Sequence, residues 1–269
     1  MTIKIISRKN LSDQLIKLEI KQSGGFGAIR PGQYVLLRFV AEETAITLPV
    51  IKTDPGRETI TLLAASVSDK INSLLNSYLT GIQIALEGPF GQPFQIENFG
   101  TVLCIANFQS MVALYPVLTA LKAAGNHITC HLTGTSDNDS VLENEFHNLS
   151  DAWINSDENP RRASQILEQT LRIQKYDQVI AIGPAKKIRE ACTVATATKT
   201  PIQAMLYLNE KNQNGQHGIF RVSVCGNTRA LCVDGYNFNA YYTSYEEMLK
   251  RFGCERAEIE TQSKINIPV

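Results

Sequence analysis

The stretch Thr101 to Asn126, TVLCIANFQSMVALYPVLTALKAAGN, sets the terms for the rest of the chain. Val102, Leu103, Cys104 and Ile105 make a short continuous apolar run, the pattern of a strand buried on both faces. After a brief turn, Met111, Leu114, Tyr115, Leu118 and Leu121 recur at one-face helical spacing until Gly125-Asn126 stops the helix. Where such a strand-turn-helix unit binds a nucleotide, its turn is rich in glycine. Backbone without Cβ atoms can approach a pyrophosphate and offer it the helix N-terminus. Here the turn reads Ala106-Asn107-Phe108-Gln109-Ser110 and has no glycine, so side chains, a phenylalanine ring among them, are expected where phosphate oxygens would lie.

The pattern continues downstream. His127 to Gly134, Ala152 to Asn155, Gln178 to Gly183 and Ile202 to Leu208 read as strands. Between them, Val141 to Leu149, Arg161 to Tyr176 and Ala185 to Ala197 read as helices. Alternation of this kind predicts a Rossmann-like parallel sheet covered on both faces, over residues 99–209. Ligands of such sheets bind beyond the carboxyl ends of the strands. Gly183-Pro184 stands at one of these ends, either as an ordinary strand-to-helix turn, the favoured reading, or as the border of a nicotinamide pocket. His127, His131 and His147 have no ligand or triad spacing and are expected to be structural or solvated.

Upstream, Ile3 to Ile6, Leu15 to Ile20, Tyr34 to Val40, Thr59 to Ala64 and Ile82 to Glu87 are short β-prone runs. They are punctuated by Ser23-Gly24-Gly25, Pro31-Gly32 and Asp54-Pro55-Gly56, and Asp69 to Leu79 is the helical candidate among them. Residues 1–98 are therefore expected to form an antiparallel barrel or sandwich. Gly88-Pro89-Phe90-Gly91-Gln92-Pro93-Phe94 follows as a turn held close to something, either a domain-joining loop or one that faces a cofactor. Residues 210–269 form a small tail. Ile219 to Cys225 and Thr228 to Val233 read as a hairpin around Gly226-Asn227, and Tyr245 to Phe252 as a short helix. Tyr236, Phe238, Tyr241 and Tyr242 would be either a contact surface or core.

Composition narrows the function classes. Lys+Arg and Asp+Glu balance at 26 each, which points to neither nucleic acid nor an anionic membrane as a partner. No signal peptide opens the sequence and no apolar run reaches the roughly 18 residues a bilayer requires, so the chain is expected to be cytoplasmic. The six cysteines are scattered, without the paired spacing of a closed metal site, and are expected to be buried thiols.

Taken together, several pieces resemble the ferredoxin-NADP reductase superfamily, and within it the electron-transfer subunit branch. They are Arg30-Pro31-Gly32-Gln33-Tyr34-Val35, the Gly88 to Phe94 stretch, Ala113-Leu114-Tyr115-Pro116 with Ala120 to Asn126, Tyr176-Asp177 with Ala181 to Pro184, and Cys232-Val233-Asp234-Gly235. The branch includes the electron-transfer subunits of dihydroorotate dehydrogenase B and of NADH-dependent ferredoxin:NADP oxidoreductase. The resemblance implies an FAD-binding barrel (1–98), an NAD(P)-binding Rossmann-like domain (99–209) and a 2Fe-2S module (210–269).

It also implies where each group would sit. For FAD these are Thr47, Leu48, Pro49, Val50, Ser66, Val67, Ser68, Lys70, Gly88 and Gly91. Thr47 stands at the family's pyrophosphate arginine, Ile51 at its flavin-facing hydroxyl, and Ser68 at a phosphate-turn glycine. The nicotinamide turn matches Ala106 to Ser110, all its glycines replaced. The cluster motif matches His217-Gly218-Ile219-Phe220-Arg221-Val222, where His217 and Phe220 replace cysteines. Cys232 is the surviving ligand, too few for a cluster that needs four.

The resulting expectation is a non-catalytic subunit or scaffold of a redox complex, with no catalytic residue and no metal. No cofactor is expected, FAD being the admissible exception, and NAD(P) and 2Fe-2S are not expected. Its partner would be a larger flavoprotein oxidoreductase resembling the glutamate synthase small subunit. The competing reading is an active FAD-dependent NAD(P)H oxidoreductase in which Lys70, Arg38 or Arg57 supplies the missing charge. A third is a sensor with another small ligand in the flavin cleft.

Overall fold

The computed structural model describes residues 3–12, 15–22, 27–39, 44–65, 72–73, 75, 84–134, 140–156, 160–206, 221–224, 227–230 and 237–239. The first sheet contains β1 (Ile3–Ser12), β2 (Leu15–Gln22), β3 (Tyr34–Phe39), β4 (Thr44–Asp54), β5 (Thr59–Ala65) and β6 (Ile84–Phe90). Its order is β1-β2-β5-β4-β3-β6, and every neighbouring pair is antiparallel. The edge strands β1 and β6 approach each other, as barrel closure requires.

β4 was not among the strands expected from the sequence. It pairs with β3 up to Pro49 and with β5 from Val50 onward, with a register shift between Val50 and Lys52. A proline at a change of partner leaves no ladder donor missing, so Pro49 marks a barrel corner while mimicking a strand breaker. Ile46, Leu48 and Val50 alternate into the barrel core with Leu18, Ile20, Leu37, Phe39 and Leu62. Of the helix expected over Asp69 to Leu79, Asn72, Ser73 and Leu75 are helical and the remainder lies outside the described residues.

The second sheet follows the alternation read from the sequence. It comprises β7 (Thr101–Asn107), α1 (Phe108–Ala123), β8 (His127–Thr133), α2 (Ser140–Leu149), β9 (Ala152–Ser156), α3 (Pro160–Ile173), β10 (Gln178–Gly183), α4 (Ala185–Ala197) and β11 (Ile202–Leu206). β11-β10-β7-β8-β9 run parallel in that order. The strand order reverses between β10 and β7, so the ligand crevice of this architecture opens there. β12 (Arg221–Val224) and β13 (Asn227–Ala230) form the expected hairpin, with Val224 opposite Asn227. β14 (Asn237–Asn239) adds an antiparallel strand to β11.

α1 joins the two sheets. It packs on β7 and β8 on one side and on β4 and β5 on the other. One cluster therefore takes Leu15, Leu63 and Ala65 from the barrel together with Met111, Leu114, Leu118, Cys104 and Cys130. Burial of this continuous apolar surface holds the halves together. Among the described residues no helix is long and apolar enough to cross a membrane.

Candidate functional site

The crevice between β7 and β10 is built differently from the turn expected at Ala106 to Ser110. β7 stays in register with β8 through Ala106↔Leu132 and Asn107↔Thr133, and α1 begins at the next residue. Asn107 is thus both the last strand residue and the helix N-cap, with φ −104° and ψ 170°. The Ser110 amide donates to Asn107 Oδ1 at 3.1 Å, and the Asn107 amide donates to Ser110 Oγ, also at 3.1 Å. Each satisfies a donor that a helix start leaves unpaired. The Ser110 hydroxyl donates to the Ile182 carbonyl on β10 at 2.8 Å. Phe108 does not occupy the phosphate position expected of it. It is only 8% exposed and packs in the shared core, because a residue immediately after the cap turns its side chain toward the sheet.

Across the crevice, Pro184 is the N-cap of α4 and offers no side-chain acceptor, as a strand-to-helix turn would have it. Lys187, in the first turn, lies against Gly183 and pairs with Glu190 at 3.8 Å. Burial lowers its pKa, with Lys186 adding repulsion. On β8, His131 is 1% exposed, its Nε2 lies 3.0 Å from Ser156 Oγ, and its Nδ1 has no protein partner among the described residues. Burial, then the charge of Lys187, pushes its pKa down to about 4, so the ring is neutral. Cys104 and Cys130 are buried thiols, as expected. Burial raises the first well above its ordinary value and the second to about 12, which makes them inert.

On the barrel side, the FAD positions divide. Leu48 and Val50 face the barrel core and are 3% and 6% exposed, while Thr47 faces the opposite way. Gly88 and Gly91 have positive φ, and their faces are occupied by the protein itself. A Cβ on Gly88 would meet the Tyr34 carbonyl at 3.2 Å, and one on Gly91 would meet Tyr34 Cε1 at 2.9 Å. Ser66, Val67, Ser68 and Lys70 lie outside the described residues, as do His217 and Cys232. Two of the cations proposed to replace the family's arginine are engaged elsewhere. Arg38 makes a two-pronged pair with Glu87 at 2.8 and 3.2 Å, and Arg57 closes the turn at Asp54, 3.8 Å away. Among the described residues no three His, Cys, Asp or Glu side chains gather to hold a metal.

The resemblance-bearing motifs instead meet at the joint between the sheets. The Gln33 side chain donates to the Gly91 carbonyl at 3.0 Å, and the Phe94 amide to the Pro31 carbonyl at 2.9 Å. Gln95 and Gln203 exchange two hydrogen bonds, at 3.0 and 3.1 Å. Asn126 accepts from the amides of Phe99 and Gly100 and donates to the carbonyls of Glu97 and Leu121. Asp177 accepts from the Thr101 amide at 2.9 Å. Gly88 to Phe90 therefore complete β6 and Gly91 to Phe94 lead on from it, the stretch being clamped on Pro31 to Tyr34. Sequence reasoning missed the tie from Ser110 to Ile182. The Asn-x-x-Ser spacing of a capping box was the signal for its local half.

No family model matches the chain. It is 28% identical over 266 residues to a Thermotoga maritima protein named dihydroorotate dehydrogenase B (NAD(+)), electron transfer subunit homolog, covering 97% of this chain and 93% of that one. It is 22% identical over 235 residues to the dihydroorotate dehydrogenase B electron transfer subunit of Clostridium acetobutylicum, covering 86% and 92%. Among solved structures it matches a chain of the NADH-dependent reduced ferredoxin-NADP oxidoreductase, from a study of flavin-based electron bifurcation. The TM-score is 0.77 at 26% identity, over 96% of this chain and 95% of that one. The chain thus resembles ferredoxin-NADP reductase-like electron-transfer subunits in sequence and in fold, over nearly its whole length.

Proposed function

We propose that this chain is a subunit of a redox complex, built on the electron-transfer scaffold, that performs no NAD(P)H chemistry itself and serves as a structural element beside a larger flavoprotein oxidoreductase. Its relatives are named as electron-transfer subunits, which supports the assembly. The observation that carries the non-catalytic reading is the self-capped start of α1, where Asn107 Oδ1 takes the Ser110 amide and Ser110 Oγ takes the Asn107 amide, two donors a pyrophosphate could otherwise use. At the barrel, FAD remains the admissible cofactor, with Thr47 as the described position turned away from the core. Among the described candidates no free cation faces its phosphates, since Arg38 and Arg57 are paired. The tail, with Tyr236, Phe238, Tyr241 and Tyr242, is the proposed docking surface.

The test is to isolate the complex from its native cell through a tag on this chain, separate the subunits and record visible spectra. The reading expects flavin and iron-sulfur bands in the larger partner and NAD(P)H-dependent bleaching confined to it. Bleaching of a flavin held by this chain alone contradicts the reading.

A further inference from the structure

We propose that Asn107 and Ser110 act together as a built-in plug that keeps dinucleotide pyrophosphates out of the crevice between β7 and β10. This inference deepens the non-catalytic reading and rests on it. Three features combine. First, β7 remains paired with β8 through Asn107, so no loop intervenes between strand and helix to wrap around phosphate oxygens. Second, Asn107 Oδ1 already accepts the Ser110 amide at 3.1 Å, and an anion would have to displace it from the positive end of the helix. Third, Ser110 is 0% exposed and its hydroxyl reaches the Ile182 carbonyl at 2.8 Å, so the tie fastens the first turn of α1 to the end of β10 at the point where the strand order reverses.

A bound phosphate would have to break the cap and leave the Ile182 carbonyl without its donor, besides shedding its own water. Unmaking buried hydrogen bonds is unfavourable unless each is replaced. The residues present do not fit the group, and the misfit lies in the direct passage from β7 into α1 and in the side chains of Asn107 and Ser110.

The experiment compares the full chain with the variants Asn107→Gly/Ser110→Gly and Ser110→Ala by calorimetric titration with NADH, ADP and inorganic pyrophosphate. Circular dichroism and thermal melting confirm that each is folded. The wild type is expected to show no saturable binding, and the double variant to bind at least about tenfold more tightly than the detection limit, since one recovered charge-assisted hydrogen bond is worth about that factor. Ser110→Ala removes the tie to Ile182 together with the Ser110 half of the capping box, and leaves Asn107 Oδ1 in place. It is the fallback if the double variant does not fold, and should show weak pyrophosphate binding where the wild type shows none. A silent wild type with silent, folded variants overturns the plug while leaving the non-catalytic reading intact. A wild type that binds NADH overturns both.

Discussion

Gly91 holds φ at +90°, and a Cβ there would come within 2.9 Å of a Tyr34 ring carbon. Gly183 has an ordinary φ, and a Cβ there would rest at 3.6 and 3.7 Å from Lys187 and Ser110. The two glycines should therefore answer differently to the same change. Gly91→Ala is expected to lower unfolding free energy by about 1–3 kcal/mol, and Gly183→Ala to stay within about 0.5 kcal/mol, both read from urea titrations. His131 gives a pH signature. Its folded pKa, about 4, lies below the ordinary 6.5, so its stabilising neutral form is fully present above pH 6.5 and is lost as pH falls from 6.5 toward 4. Asp151, whose pKa is lowered by hydrogen bonds from Lys122 and the Ile128 amide and by the charges of Lys122 and His127, acts only below its ordinary 3.8, so the windows separate. Stability measured from pH 6.5 to 4 should fall with a slope approaching about one proton, a tenfold change in folding equilibrium per pH unit, and His131→Gln should flatten it.

α1 is the element on which both halves depend. Leu114 is fully buried in the cluster that also takes Leu63 and Ala65 from β5, so Leu114→Ala should cost about 2–5 kcal/mol. It should lower the melting of both halves together, seen as one coincident transition by near- and far-ultraviolet circular dichroism. β10 and α4 were legible to the residue, because the hydrophobic period there is undisturbed. β4 was not, since Pro49 stands inside the alternation of Ile46, Leu48 and Val50 and reads as a strand breaker. The start of α1 was misread as an open turn because Asn107 serves strand and cap at once, a double role that composition does not display. The tie from Ser110 to Ile182 joins residues far apart in sequence and had no local signal.

Across the whole molecule, residues that carry the family resemblance lie where the sheets are joined, at Pro31 to Tyr34, Gly88 to Phe94, Asn126 and Asp177. Among the described residues, those read as departing from it include Thr47, Ile51 and Asn107 to Ser110. Joint and core account for a fold shared with a solved chain at only 26% identity over 96% of the length. The proposal that follows is a scaffold whose Rossmann-like half takes no nicotinamide dinucleotide. Equilibrium titration of the purified full-length chain with NADH and NADPH, followed by the quenching of Trp153 and the enhancement of nicotinamide fluorescence, tests this most directly. The account predicts no saturable change up to about millimolar nucleotide, the weak end of the binding scale; saturation with a micromolar Kd would contradict it.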